Sequence, residues 1–339
     1  MLGRYLHWSI ITYSMWTSTV GAQSSIEALL PKITTSDNFS IWTNPSYDAT
    51  TLSYDLAGLN SAQLKSNSRY AVTMGLDYGA YTLSHKFNLP FNTMGAENPL
   101  SSTYRLSVGY GKKNFEVDAE LSRIKGFYTK TNMPLADRQT HYRSDITNFE
   151  ISLKAYYFFN ERYRYSHSMK FAYQQNKSGY TFYASLKHRY YSLSADSTLF
   201  HGEPILVDHP NADLRHLYVF DNSVTFGFSG LLTNEHWFIR GIIGMGLGMQ
   251  VQYYDNAKGH HWRLWPVPAS DCKVSLGYKM RGIHFSLNTP LDITLVFLPK
   301  ETSYIKLNSA ISFTVGFHIF ELINESIERN AREYRQQTL

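Results

Sequence analysis

From residue 305 to 319 every second side chain is apolar or small (Ile305, Leu307, Ser309, Ile311, Phe313, Val315, Phe317, Ile319). Those between are polar or tiny (Lys306, Asn308, Ala310, Ser312, Thr314, Gly316, His318). A period of two predicts a β-strand with two unlike faces. Its length exceeds the usual strand of a soluble domain and suits a tilted crossing of a bilayer.

The same alternation recurs along the chain. It predicts strands at 70–78 and 81–87, with a tight turn where the parity switches, then 104–110 and 115–121, joined through Gly111, Lys112 and Lys113. Further strands are expected at 149–159, 163–173, 180–190, 220–228, 237–253, 272–280 and 283–297, with Pro290 as an irregularity in the last. In 237–253 the glycines at 244, 246 and 248 share the polar face, where they leave room for bulky neighbours or strand curvature. The segments 90–102, 125–147, 195–217 and 256–270 read as loops, and 321–339 as a solvated tail. The Ser/Thr/Asn-rich stretch 23–68 reads as mostly irregular. With 304–320 included, the count is about twelve strands, with ten to fourteen allowed.

These features define an all-β fold, a transmembrane antiparallel β-barrel with a polar lumen spanning 69–320. Closure is required, because hydrocarbon leaves no partner for an open sheet edge. One feature conflicts with the scheme: the link at 174–178 is short where the usual alternation of short and long links calls for length. The alternative architecture is a secreted soluble β-sandwich or lipocalin-like protein.

Composition narrows the field. Of 339 residues, 43% are hydrophobic, 15% aromatic and only 17% charged, which suits a β-rich chain and excludes a largely disordered one. No run of 18 apolar residues is present, so no helical span is expected. Residues 1–22 read as a cleaved signal peptide: Arg4 supplies positive charge, 8–16 a modest apolar core, and Val20, Gly21 and Ala22 a small-residue cleavage site. The expected address is therefore the bacterial outer membrane. The single cysteine, Cys272, allows no intrachain disulfide. A formal charge of +5 with no basic block gives no support to a nucleic-acid partner. The expected partners are outer-membrane lipid, the barrel-insertion machinery and an outer-membrane protein.

The polar faces of the strands carry Arg105, Glu116, Asp118, Glu120, Glu150, Lys154, Arg164, Lys170, Lys187, Arg189, Arg240 and Lys306. A carboxylate in a dry core is costly, so these faces are wet or meet opposite charges. Across a narrow lumen they either form a ladder that plugs it or line a small polar pore.

Candidate chemistry is sparse. His284 and Ser286 stand two apart on one strand face, where an imidazole can activate a hydroxyl. The pair resembles the His-x-Ser of outer-membrane phospholipases and lipid A deacylases, although Leu287 and Asn288 follow where those enzymes have Asn-Gly. The apolar claims of Ile283, Phe285 and Leu287 on the lipid face turn the pair into the lumen. No catalytic residue is therefore assigned, and a lipid hydrolase is kept as the alternative function. His260 and His261 are adjacent and point to opposite sides of an extended segment, so no metal site is expected, and no cofactor. Lys177, Ser178 and Gly179 read as turn chemistry, and Trp262 and Trp265 as interfacial anchors.

Several blocks resemble a Bacteroidota outer-membrane family, domain of unknown function 4421. They are 70–89, the run Ala155-Tyr156-Tyr157-Phe158-Phe159-Asn160 with 163–173 after it, and Gln175-Asn176-Lys177-Ser178-Gly179. The closing strand, with its apolar stripe and Phe317 and Phe320, also resembles the terminal strand that barrel-insertion machinery reads. The resemblance implies an outer-membrane β-barrel and carries no catalytic residue with it. The function expected is that of a barrel without evident catalytic chemistry, a narrow pore or a structural or partner-binding barrel.

Overall fold

A computed structural model of the chain describes residues 39–56, 60–67, 70–89, 99–112, 114–131, 141–160, 178–199, 213–256, 259–280, 282–298 and 302–319, with 322, 323 and 326 beyond them. The expected signal segment 1–22, the strand expected at 163–173 and nearly all of the 321–339 tail lie outside the described residues.

The described part forms thirteen strands. They are β1 (Phe39–Leu56), β2 (Asn60–Lys65), β3 (Tyr70–Tyr78), β4 (Tyr81–Asn88), β5 (Ser102–Lys112), β6 (Phe115–Thr131) and β7 (His141–Phe158), followed by β8 (Gly179–Ser194), β9 (His216–Thr233), β10 (Trp237–Asn256), β11 (Gly259–Met280), β12 (Ile283–Leu298) and β13 (Thr302–His318). All pairings are antiparallel, and β13 returns to β1 from Ser40↔His318 to Leu56↔Thr302, which closes the sheet into a barrel. Closure removes the exposed edges that a membrane sheet has to avoid, except where β11 and β12 part beyond Cys272 and Leu291.

The wall is not the same at the two rims. At the rim nearest the chain ends of β1 and β13, the ring runs through every strand but β2, so it has twelve members. Towards the opposite, distal rim, β3, β4 and β5 stop short: β1 pairs with β3 over 39–47 and with β2 over 51–56. Likewise β6 pairs with β5 over 115–125 and with β2 over 128–131. Ten strands therefore reach the distal end, where β11 and β12 are not paired with each other. The change of partner falls at a bulge in β6 between Lys125 and Phe127, where Gly126 has φ +89°. That backbone favours glycine, and a Cβ there would also lie 2.2 Å from the Tyr142 hydroxyl. The step is tied by the end of the β4–β5 link. The Asn67 amide donates to Ser101 Oγ (2.6 Å), and the Tyr128 hydroxyl donates to the Pro99 carbonyl (2.8 Å).

Sequence and structure differ in three places. The stretch 23–68, expected to be mostly irregular with an early extended piece at 50–56, holds all of β1 and β2, so the barrel begins at Phe39 rather than residue 69. The loop expected at 125–147 is shortened from both sides, with β6 reaching Thr131 and β7 starting at His141. The loop expected at 256–270 is strand: β11 pairs with β10 without interruption from Trp237↔Tyr278 to Asn256↔Gly259. The conflict in link lengths persists, because β7 ends at Phe158 and β8 begins at Gly179, so a long link joins two strands at the twelve-strand rim. β7 pairs directly with β8, and the twelve-strand rim carries tight links at 79–80, 113–114, 234–236 and 281–282. The links 132–140 and 195–215 join strands at the distal rim, as do the short ones at 257–258 and 299–301.

Outside and inside alternate as the pattern requires. On β10, Ile243, Met245 and Leu247 are 64%, 77% and 74% exposed, whereas Arg240, Gln250 and Gln252 point inward and are buried. Aromatic pairs edge this apolar belt. Trp237–Tyr278 (4.8 Å between ring centroids) and Tyr81–Tyr110 (5.2 Å) lie towards one rim; Tyr190–Phe220 (4.8 Å) and Tyr47–Tyr70 (5.5 Å) lie towards the other. On β7 the belt runs from Phe149 to Phe159, ten steps of about 3.3 Å, which when tilted match the ~25 Å apolar band of membrane barrels. Such girdles sit at headgroup level.

Candidate functional site

The lumen is layered. At the distal end Leu52, Leu64, Ile124, Phe127, Ile146, Tyr191, Leu193, Leu217, Val219, Tyr254 and Val296 turn inward and pack with Ala195, Leu199 and Leu214 of the β8–β9 link into a buried apolar tier. Towards the twelve-strand rim Tyr156, Phe158, Tyr183, Leu231, Phe238 and Ile242 form a second one, against the β7–β10 side of the wall. Between the two lies a cavity of about 270 Å³.

Charge fills the wall of that chamber in balance. Its carboxylates are Asp48, Asp118, Glu120, Glu150, Asp271 and Asp292, and its cations Lys86, Arg105, Lys154, Lys187, Lys273 and Lys306, six of each. Most are committed to one another. Lys86 pairs with Asp48, Lys154 with Asp271, and Lys306 with Glu150. Arg105 Nε lies 3.2 Å from Glu120 Oε1, and Lys187 Nζ lies 3.2 Å from Asp292 Oδ1. Arg189, just beside the chamber, donates to Asp221 at 2.5 Å and to Asp292 at 3.4 Å. Several pairs are struts across the lumen: β13 to β7 for Lys306–Glu150, β7 to β11 for Lys154–Asp271 and β8 to β12 for Lys187–Asp292, none of them neighbours in the wall. Further donors complete the buried carboxylates. Ser185 Oγ and the Tyr183 hydroxyl donate to Asp271 Oδ2 (3.1 and 3.4 Å), and Lys306 also donates to Asn148 Oδ1 (3.3 Å). A buried charge left without such partners would cost several kcal/mol.

The β10 glycines open the space this arrangement needs. A Cβ on Gly244 would come 2.2 Å from the Tyr183 hydroxyl, and one on Gly246 1.9 Å from the Val224 carbonyl oxygen. The first leaves room for Tyr183 to reach Asp271; the second lets β9 and β10 approach closely.

Of the lumen charges expected from sequence, Arg105, Asp118, Glu120, Glu150, Lys154, Lys187 and Lys306 line the chamber. Glu116, Arg189 and Arg240 are buried on inward-facing positions. Arg164 and Lys170 lie outside the described residues. Sequence reasoning missed Asp48, Lys86, Asp221, Asp271, Lys273 and Asp292. Lys86 and Asp221 stood on faces read as polar and were legible; Asp48 fell in the stretch read as mostly irregular, and Asp271 between the loop read to 270 and the strand read from 272. His284 and Ser286 both face inward and are buried. The Ser286 hydroxyl accepts from Asn288 Nδ2 (3.2 Å), and the His284 ring packs against that of His318 (5.3 Å). His260 pairs with Asp255 and His261 with Asn256 (3.2 Å), each folded back onto the preceding strand, and among the described residues no His, Cys, Asp and Glu cluster could hold a metal.

A closed antiparallel barrel with an apolar belt, aromatic girdles and a charged interior is the architecture of outer-membrane barrels. The profile of the family described as Domain of unknown function (DUF4421) matches residues 34–318, and the chain belongs to that family. Among curated proteins none matches the sequence. Solved structures that it resembles include OmpT, an outer membrane protein of Vibrio cholerae, with 7% identity, 83% of this chain and 97% of that one covered, and a TM-score of 0.33. The β domain of the Bordetella autotransporter BrkA has 10% identity, 80% and 98% coverage and a TM-score of 0.35. The P. putida toluene transporter TodX has 6% identity, 83% and 90% coverage and a TM-score of 0.30. Superpositions this loose carry nothing about function; the barrel stands on its own strand register.

Proposed function

We propose that this chain resides in a bacterial outer membrane and that its barrel binds rather than conducts. The observation that carries the reading is the distal apolar tier, which joins inward side chains of β1, β2, β6–β10 and β12 to the β8–β9 link. A dry constriction of this kind opposes ion passage, since an ion would have to shed its water without finding polar replacements. The chamber beneath it adds a second obstacle: equal numbers of both signs, mostly paired, present no net field to attract one kind of ion. Its volume and its charges suit a small charged group instead. Reconstitution of the folded protein into planar bilayers tests this. The expected result is no unitary conductance steps; steady steps that scale with salt would support the narrow pore.

A further inference from the structure

The wall has one long interruption. β11 and β12 are paired from Met280↔Ile283 only as far as Cys272↔Leu291, although β11 continues to Gly259 and β12 to Leu298. Above that point β11 pairs only with β10, and β12 only with β13. The sequence prepares this gap. Alternate residues of an antiparallel strand donate to alternate neighbours. With the β10 ladder continuous, the donors that Pro266 and Pro268 lack are missing on the side towards β12. The exposed edge of β12 is met by a side chain instead, as Gln250 Nε2 of β10 donates to the Leu295 carbonyl (2.9 Å).

The gap lies within the apolar belt. Its lower end, Cys272, stands opposite Ile243, and Pro268 stands opposite Leu247, one of the most exposed apolar side chains of the barrel. It also opens on the chamber: Ser270, Asp271, Leu291 and Asp292, from the two sides of the gap, all line the central cavity. A smaller cavity continues from there between Pro268 and Leu295. Around the two cavities stand Lys154, Lys187, Arg189 and Lys273 with Asp221, Asp271 and Asp292. Lys154 is held by Asp271 and Lys187 by Asp292, whereas Lys273 lines the chamber and makes no ion pair among the described residues.

We propose that the β11–β12 gap is a lateral portal for an anionic amphiphile of the bilayer. Its carboxylate or phosphate head enters the chamber and rests on Lys273, while its hydrocarbon chain stays in the membrane between the two strands. This deepens the reading of a binding barrel and rests on it. The gap supplies the path that the closed lumen denies, the belt supplies an apolar surface for the chain, and Lys273, which makes no ion pair among the described residues, supplies a cation for the head.

The test uses the full-length protein in vesicles of zwitterionic lipid. These carry photoreactive single-chain amphiphiles that share one chain and differ in head: carboxylate, alcohol or trimethylammonium. Cross-links are mapped by mass spectrometry. The carboxylate is expected to label residues 262–270 and 291–297 saturably, exceeding the alcohol by about tenfold, the worth of one charge-assisted contact. Lys273→Gln removes that preference. Pro266→Thr with Pro268→Thr returns the two donors, lets the ladder extend and lowers labelling by all three. Equal labelling by the three heads, or labelling unchanged in the double proline variant, would overturn the proposal. So would full competition by butyrate, which marks an anion site reached from water. The conductance experiment is independent of all these outcomes, so a failed portal and a failed closed lumen are told apart.

Discussion

Lys306 reaches Glu150 across the lumen, both side chains almost wholly buried, and each neutralises a charge the other could not bear alone. Removing one member leaves the other stranded, so Glu150→Gln or Lys306→Met alone is expected to destabilise the fold by about 3–5 kcal/mol. The double variant is expected to recover most of that loss. Heat-modifiable gel mobility across a urea series reads both, and a double variant no better than the singles would count against the strut. At Gly244 the constraint is steric. Gly244→Val drives a side chain into the Tyr183 hydroxyl, with an expected cost of about 1–3 kcal/mol by the same assay. Which charges face inward was legible for most strands, because lipid demands an unbroken apolar stripe and leaves every charge to the other face. Their pairing was not legible, since Lys154 and Asp271 meet only once the ring has closed. The inward turn of His284 and Ser286 was legible for the same reason, from Ile283, Phe285 and Leu287 beside them.

The elements that escaped the sequence are those where the two faces stop being unlike. On β8 the alternation is clean to Tyr190 and then meets Tyr191 and Leu193, inward residues of the distal tier, with Ser192 and Ser194 outward, so the apolar face changes sides and the strand reads as ended. On β9, Leu217 and Val219 hide the beginning in the same way. β1 is masked by Pro45 and by a run of Ser, Thr and Asn on both sides. In β11 the prolines that hold β12 away also break the pattern. Gly126 is the single residue that lets β6 exchange β5 for β2. Gly126→Val combines a strained positive φ with the Tyr142 contact, for an expected loss of about 2 kcal/mol or more. Hydrogen exchange checks where it falls: protection is expected to drop at 60–65 and 128–131 while β9 to β13 keep theirs. A uniform loss would mean that the step is not a separable unit.

At the scale of the whole molecule, a barrel of twelve strands narrows to ten, and the narrower end is the one packed dry. The narrowing follows from the short β3–β4–β5 sector, and it lets the inward side chains of the remaining strands meet over the lumen instead of lining a channel. The proposal on which the rest depends is that the distal tier shuts the mid-lumen chamber off from water at the narrower end. The most direct measurement places a cysteine there. Ser152→Cys, on the chamber wall, in a Cys272→Ser background, is reconstituted and exposed to a membrane-impermeant maleimide from each side in turn. The thiol is expected to stay unmodified by reagent on the distal side of the folded barrel and to react fully after heating. Rapid modification of the folded protein from the distal side would contradict the dry tier and return the barrel to the class of open pores.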